Sequence, residues 1–201
     1  MVNKKILHIF TSLDFGGAES HGFIINKHSK LSGFEHSFIA ISKGGRVEQK
    51  IRDNGGDVTI LDLNHKIFSF KTLLTLFKCI RDNNPVGVHC HGSEANFYGV
   101  LAAKLANVQL IIVEEIGLPS HSAKAKFIFR YLYKLASNII AISESVKDWI
   151  VESGEAPKHK ITKIYNPVDF ISIDKNVDCK SYFEICFVGR LEPLQDYYPL
   201  Y

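Results

Sequence analysis

Short apolar, β-branched runs alternate along the chain with longer segments in which apolar residues recur every three or four positions. The short runs predict strands near residues 6–11, 36–41, 58–63, 86–90, 110–113, 139–142 and 161–165. The longer segments predict helices near residues 18–31, 47–54, 70–83, 94–106, 123–136 and 145–152. Because strands and helices alternate, we expect an α/β protein with a Rossmann-like, doubly wound, mostly parallel sheet.

The pattern changes after residue 168. Residues 169–183 have scattered charges and weak periodicity, which is typical of an interdomain linker. Residues 185–188 then predict a buried strand, followed by Gly189 and Arg190 and only a few further residues. Since a strand needs a sheet to join, we expect a domain over 1–168, a linker over 169–183 and a truncated start of a second domain over 184–201.

Composition narrows the classes of function. With 24 basic and 21 acidic residues the net charge is +3, too weak and dispersed to predict a nucleic-acid partner. The four cysteines form no CxxC pair, which favours a reducing, cytoplasmic compartment. Charges interrupt every long apolar stretch, so we expect at most a peripheral contact with the inner face of the cell membrane.

In a doubly wound sheet, ligands bind beyond the carboxyl ends of the strands. The first such loop contains Gly16 and Gly17 before a helix, where free backbone N–H groups suit a phosphate. The glycine spacing differs from the dinucleotide fingerprint, which disfavours NAD, and a glycine turn needed only for packing is the alternative. We also expect Glu19, Ser93 and Glu114 to lie on acceptor-side loops of this crevice.

His91 and Glu115 are further candidates for catalysis. His91 ends the fourth strand on the same face as His89, where an active-site contact and a structural role are both open. Glu114 and Glu115 should face opposite ways, so that one enters the crevice, as a general base or hydroxyl acceptor, while the other is solvated or bonded to a backbone N–H. The histidines lack further ligands at recognised metal-site spacings, so we predict no metal site.

The helix predicted over 123–136 carries basic side chains four residues apart, and aromatic residues lie beside them. This stripe suits an anionic membrane surface, although a solvated cationic face is the alternative. The predicted membrane-surface residues are Lys126, Phe129, Arg130, Tyr133 and Lys134. The core-facing stripe would then consist of Phe127, Ile128, Tyr131, Leu132 and Leu135.

An ordered set of motifs resembles the retaining glycosyltransferases of family 4, whose GT-B fold has two facing Rossmann-like domains. The matching stretches are ILHIFTSLDFGGAE (6–19), HCHGSEANFYGVLAA (89–103), NIIAISESV (138–146), IYNPVD (164–169) and FVGRLEP (187–193). The resemblance implies transfer of a sugar from a nucleotide-sugar donor to a saccharide or lipid-linked saccharide acceptor, without a cofactor or an obligatory metal ion. It further implies surface polysaccharide or lipopolysaccharide assembly, with Gly16 and Gly17 approaching the donor phosphate and Arg190 binding the diphosphate.

Three departures from the family pattern limit this expectation. Ile116 stands where many members have a histidine, so His91 or Glu115 would have to contribute. Gln195 and Asp196 stand where a Lys-Gly pair is usual, and the glutamates of the donor domain are missing. We therefore expect this chain alone to be inactive. The alternatives are a non-catalytic module that binds an acceptor or a partner, and half of a split enzyme. An epimerase-like enzyme is a third alternative, which the missing dinucleotide fingerprint disfavours.

Overall fold

The computed structural model of the protein describes residues 4–64, 66–118 and 121–169. Strands and α-helices alternate throughout this part of the chain, in the order that the hydrophobic pattern predicts. The strands are β1 (Lys5–Phe10), β2 (Glu35–Ala40), β3 (Asp57–Ile60), β4 (Gly87–His91), β5 (Leu110–Glu115), β6 (Asn138–Ala141) and β7 (Ile161–Lys163). The helices are α1 (Gly17–Lys27), α2 (Arg46–Asp53), α3 (Phe70–Asn83), α4 (Ser93–Leu105), α5 (Ala123–Leu135) and α6 (Glu144–Glu152), with 3₁₀ turns over Ser29–Leu31 and Lys158–Lys160.

The strands form one sheet in the order β3-β2-β1-β4-β5-β6-β7, and every pairing between them is parallel. The order reverses at β1, which pairs with β2 on one side and with β4 on the other. This confirms the predicted Rossmann-like, doubly wound fold, and it places the topological switch point between β1 and β4.

Two apolar cores lie on opposite faces of the sheet. The smaller core joins Phe10 and Phe38 of the sheet to Val47 and Ile51 of α2, with side chains of α1 beside them. The larger core combines the other face of the strands with apolar side chains of α3, α4, α5 and α6. Since both faces are covered, the central strands read as nearly continuous apolar runs, as parallel strands do.

Local signals in the sequence fix several helix ends. The Ser143 hydroxyl accepts a hydrogen bond from the Val146 amide at 3.2 Å and so caps α6. Ser69 and Ser122 cap α3 and α5 in the same way. Helix α3 ends in front of Asn84, whose left-handed φ of 43° ends the helical path.

The carboxyl end of α5 is closed by a lysine from much further along the chain. Lys160 donates hydrogen bonds to the carbonyl oxygens of Tyr133, Lys134 and Ala136 at 3.0, 2.9 and 2.8 Å. A cation there complements both the unpaired carbonyls and the negative end of the helix dipole. The contact therefore ties α5 to the turn before β7.

Residues 1–169 group as one compact unit. The predicted linker beyond Asp169, the predicted second domain and Arg190 lie outside the described residues. Within the described part of the chain, we find no helix that combines the length and hydrophobicity needed to cross a bilayer.

Candidate active site

The loops after β1 and β4 open next to each other at the switch point. Helix α1 follows Gly16 and helix α4 follows Gly92, which has a left-handed φ of 86°. The loop after β2 joins this edge through an ion pair of 2.7 Å between Asp14 and Lys43. These loops therefore border one crevice at the carboxyl edge of the sheet, where the fold predicts a ligand site.

The glycine loop leaves the amino end of α1 without a side-chain cap. Gly16 occupies the cap position, and its carbonyl oxygen accepts bonds from the Ser20 amide and hydroxyl. A side-chain atom added at Gly17 would meet no protein atom within 4 Å, so that position stays open to a ligand. Glu19, in the first turn of α1, accepts a hydrogen bond from Ser12 at 3.3 Å and is half-buried.

Glu114 lies at the end of β5 opposite His91, its register partner on β4. His91 Nδ1 makes a very short hydrogen bond to Glu114 Oε2, and its ring stacks on Phe10 with centroids 4.1 Å apart. His21 of α1 places its Nδ1 3.9 Å from Glu114 Oε1. Burial opposes ionisation of Glu114, but the hydrogen bond and electrostatic attraction of His91, with a contribution from His21, hold the pKa of this carboxyl below its usual range.

More histidines gather on this face of the sheet than the sequence analysis singled out. His8 of β1 lies opposite His89, and its Nδ1 is 3.1 Å from His91 Nε2. On its other side, His8 Nε2 is 2.8 Å from His36 Nδ1. The signal was present, because His8 interrupts an apolar run, His36 precedes one and His91 ends one. However, no linear spacing joins these three residues.

Burial lowers the pKa of His8 and His89 well below the usual histidine range, and neighbouring imidazoles add to this effect. Their rings are thus neutral, and ligand nitrogens of His8, His89 and His91 lie within 4.8 Å of one another. Such a group has the composition of a metal site. However, both ring nitrogens of His8 and His91 are already used in hydrogen bonds, so an ion would have to displace the bond between them.

Glu115 points to the opposite face of the sheet, away from Glu114. Its Oε1 accepts bonds from the Tyr133 hydroxyl at 2.8 Å and the Asn96 amide at 2.7 Å. Burial raises the pKa of Glu115 to about 7, although these two donors and the charge of His121 oppose the rise. The two carboxylates diverge as predicted, but the alternatives of solvation or a backbone partner for the second were wrong, because Glu115 is 2% exposed and has side-chain donors.

The remaining loop residues lie close to these groups. Ser93 is the first residue of α4 and is half-buried. Ile116 follows β5 and is 38% exposed, and a side-chain atom added at Gly92 would come within 3.3 Å of it. Ile116 thus borders the loop after β4, where it supplies an apolar surface.

The predicted orientation of the aromatic residues of α5 is wrong. Phe129 and Tyr133 were expected on the surface, yet they are 4% and 1% exposed, because they pack into the larger core. Phe127 and Tyr131, expected to face the core, are instead 76% and 57% exposed. The helix is rotated relative to the prediction, since positions 129, 132 and 133 form its buried stripe.

The basic side chains of α5 differ from one another in their exposure. Arg130 and Lys134 are exposed, in line with the expectation that they lie on the surface. Lys126 is half-buried, with its Nζ 5.5 Å from the Trp149 ring centroid, a cation–π contact. The exposed face of α5 therefore combines Phe127 and Tyr131 with two cations.

Comparison with known proteins identifies relatives of this chain. The family described as Glycosyltransferase Family 4 matches residues 15–170. The O-antigen biosynthesis glycosyltransferase WbnH of Escherichia coli is 26% identical over 194 residues, which is 94% of this chain and 55% of WbnH. The chain thus spans about half the length of the curated relatives it matches.

Solved structures agree on the fold. A glycosyltransferase from Rickettsia africae superposes with a TM-score of 0.66 at 20% identity, covering 81% of this chain and 43% of that one. The Anabaena protein Alr3699/HepE, solved in complex with UDP and glucose, gives 0.63 at 17% identity, with coverages of 82% and 45%. At such identities the likeness concerns the fold alone.

Proposed function

The chain belongs to glycosyltransferase family 4, and from this membership we propose that residues 4–169 are the acceptor-side domain of a glycosyltransferase. In this proposal, the enzyme uses a nucleotide-sugar donor, transfers the sugar with retention and acts in assembly of O-antigen or a related surface polysaccharide. The relative WbnH supports the pathway, and the complex of HepE with UDP and glucose supports the donor class.

The observation that carries the proposal is the convergence of three loops at the switch point. The uncapped amino end of α1 offers N–H groups to a phosphate, while Glu114 lies at the same edge of the sheet. His21 links them, since it lies on α1 with its Nδ1 3.9 Å from Glu114 Oε1. A donor phosphate and an acceptor hydroxyl can therefore be held on neighbouring parts of one crevice.

The acceptor is bound, in this proposal, by the polar groups along that crevice. Glu114 is ionised and can accept a hydrogen bond from a sugar hydroxyl through Oε1, which His91 leaves unused. Glu19 and Ser93 border the same loops. Glu115 was a catalytic candidate, but it is bonded to Tyr133 and Asn96 on the opposite face, so we assign it no contact with substrate.

A complete transfer site also needs groups that bind the nucleotide and the leaving diphosphate. We propose that a donor domain supplies them, and we expect the purified 201-residue chain alone to transfer no sugar, because group transfer depends on a closed cleft that orients both substrates. Incubation with nucleotide-sugars and membrane extract measures this directly. Transfer above a control without protein would overturn the expectation.

The positive test joins residues 1–169 to the donor domain of WbnH. We expect this chimera to label a lipid-linked saccharide from a radioactive nucleotide-sugar, with the sugar linked in the donor's anomeric configuration. The matched control is the same chimera carrying Glu114→Gln, which keeps the shape but removes the charge. A chimera that binds the acceptor without transfer would instead favour a non-catalytic binding module.

We also propose that the exposed face of α5 makes a peripheral contact with the inner face of the cell membrane. Phe127 and Tyr131 present aromatic surface one turn apart, with Arg130 and Lys134 beside them. Flotation with anionic vesicles tests this surface. Reversing both charges to glutamate should lower binding at least about tenfold, at roughly 1 kcal/mol per cation.

The control for flotation reverses two exposed lysines of α3, Lys71 and Lys78, which have the same charge on a different helix. This variant should float like the wild type if binding is localised to α5. Equal loss in both variants would show only a general charge effect and would contradict the proposal.

A further inference from the structure

A continuous row of hydrogen bonds runs along one face of the sheet, from its amino edge to the crevice. It starts at the exposed Ser32 hydroxyl, which is 2.7 Å from His36 Nε2, and continues from His36 Nδ1 to His8 Nε2 at 2.8 Å. His8 Nδ1 then lies 3.1 Å from His91 Nε2, and His91 Nδ1 reaches Glu114. Each imidazole uses one nitrogen toward each neighbour, so no link in the row is missing.

While the rings are neutral, an ionised Glu114 fixes the direction of the bonds between the imidazoles. An ionised Glu114 can only accept, so His91 Nδ1 must carry a proton, and a neutral His91 must then accept at Nε2. The same argument places the proton of His8 on Nδ1 and the proton of His36 on Nδ1. Ser32 completes the row when its hydroxyl proton points to His36 Nε2 and not to the Ser29 carbonyl oxygen, since each of these acceptors lies 2.7 Å from the hydroxyl.

We propose that His36, His8 and His91 form a proton relay, through which Glu114 and His91 exchange a proton with solvent at the opposite edge of the sheet. A proton arriving at His36 Nε2 releases the one on His36 Nδ1 to His8. His8 in turn releases its Nδ1 proton to His91, so the added proton ends on the His91–Glu114 pair. His8 and His36 finish as neutral Nε2–H tautomers, and the whole row has gained one proton.

The burial of the row favours relay over charging of its members. His8 is 3% exposed, and burial followed by the neighbouring His91 and His36 lowers its pKa far below the usual range. Burial also lowers the pKa of His36. Ring nitrogens that resist a net charge can still exchange one proton for another, as a relay requires.

Three other titratable groups face the inner end of the row. His21 of α1 lies 3.9 Å from Glu114, and His89 Nε2 lies 3.8 Å from it, buried and without a hydrogen-bond partner among the described residues. Burial lowers the pKa of His21, with a contribution from His91, and the charges of Glu114 and of Glu19 on α1 oppose this shift. None of the three lies in the row, and His21 and His89 are observed in the same NMR spectra as its members.

The relay would contribute to catalysis when substrates fill the crevice. Substrates exclude water from an active site, which isolates a buried carboxyl from bulk protons. With the relay, Glu114 keeps access to solvent through His36, on the side of the sheet away from the substrates. This use in catalysis rests on the proposed function, whereas the relay itself is a property of the folded chain and can be tested without activity.

The test is nitrogen NMR of protein that contains isotope-labelled histidine, because deprotonated and protonated ring nitrogens have well-separated chemical shifts. At pH 8 we expect His8, His36 and His91 all to be Nδ1–H tautomers, although free histidine prefers Nε2–H. As the pH falls, His8 and His36 should change to Nε2–H together, with one midpoint and without becoming imidazolium. Nε2–H tautomers at pH 8, separate midpoints, or a doubly protonated His8 would overturn the relay.

The variant His36→Asn separates the relay from a static structural role. Its side-chain amide replaces the Nδ1–H donor to His8, but it has no second nitrogen that can take up a proton. The amide can donate to His8 Nε2 or, when flipped, accept from it, but it cannot take up one proton and release another. Exchange of the His8 Nδ1 proton with solvent should therefore be slower than in the wild type, whereas a purely structural row would exchange at the wild-type rate. Should this variant not fold, Ser32→Ala leaves the rings intact, and His8 and His36 should still change together.

Purified protein that retains one equivalent of a metal ion on His8 and His91 would also overturn the relay, because ligation removes the bond between them.

Discussion

Replacing Glu115 with glutamine removes one buried ionisable group while keeping its shape and its acceptor oxygen. In the wild type, Glu115 is held between the Tyr133 hydroxyl and the Asn96 amide, at 2.8 and 2.7 Å. Burial is the largest influence on it, and it raises the pKa to about 7 from a usual value of 4.5. The folded protein therefore holds this proton more tightly than the unfolded chain does.

The sign and size of the effect follow from that difference. Below pH 4.5 the group is protonated in both states, and between pH 4.5 and about 7 only the unfolded state ionises. Stability therefore falls as the pH rises through this window, by about 1.4 kcal/mol per pH unit, and then levels off above pH 7. Over about 2.5 pH units, the ionisation of Glu115 costs the folded protein roughly 3 kcal/mol.

Urea unfolding of both proteins at pH 4.5, 6 and 8.5 measures the free energy of unfolding. We expect the difference between Glu115→Gln and wild type to shift by roughly 3 kcal/mol in favour of the variant from pH 4.5 to pH 8.5. Any constant packing cost of the new amide cancels in that comparison. Glu152→Gln, at an exposed position, should show no such shift. A pH-independent difference for Glu115→Gln would refute the reasoning.

Further substitutions test other contacts. Tyr133→Phe removes one of the two hydrogen-bond donors to Glu115 and should lower the free energy of unfolding by about 1–3 kcal/mol. In the same urea assay, the loss should be larger at pH 8.5 than at pH 5. Lys160→Met leaves three carbonyls of α5 without their donor and should lower the free energy of unfolding by about 2 kcal/mol, whereas Lys158→Met, exposed in the same turn, should not. Gly17→Ala should unfold like the wild type, because the added methyl meets no protein atom, yet slow transfer by the WbnH chimera at least roughly tenfold. Transfer by the chimera should persist in excess EDTA, and its loss, restored by a divalent cation, would contradict the proposed metal-independent reaction.

The sequence predicted the fold well because hydrophobic periodicity and turn residues act locally. Helix α3 has the predicted bounds, since Ser69 caps one end and Asn84 with Pro85 stops the other. Strand β3 is shorter than predicted, because Leu61 and Leu63 donate hydrogen bonds to β2 and its loop without continuing the ladder. The difference arises at the end of an element, where local signals are weakest.

The helix α5 shows why the site was harder to predict. Apolar residues occur on nearly all sides of α5, so periodicity could not decide which of them face the core. The contact with Glu115 fixes the rotation of α5, because Tyr133 faces inward and donates its hydroxyl hydrogen bond to that carboxylate. Likewise, Glu114 could be proposed from its position at a strand end, whereas the row that leads to it joins residues from three strands and required the register of the sheet.

The interior position of β1 in the sheet has a consequence for synthesis of the protein. Strands β1, β2 and β3 are contiguous in the sheet and are all made within the first 60 residues, so they can pair while the rest is still being translated. Until residues 87–91 emerge, the other edge of β1 is an unpaired, apolar template for a strand of any neighbouring chain. Strand β4 is thus the later of the two partners of β1, and ribosome-bound chains from which β4 has not yet emerged are the species that we expect chaperones to protect.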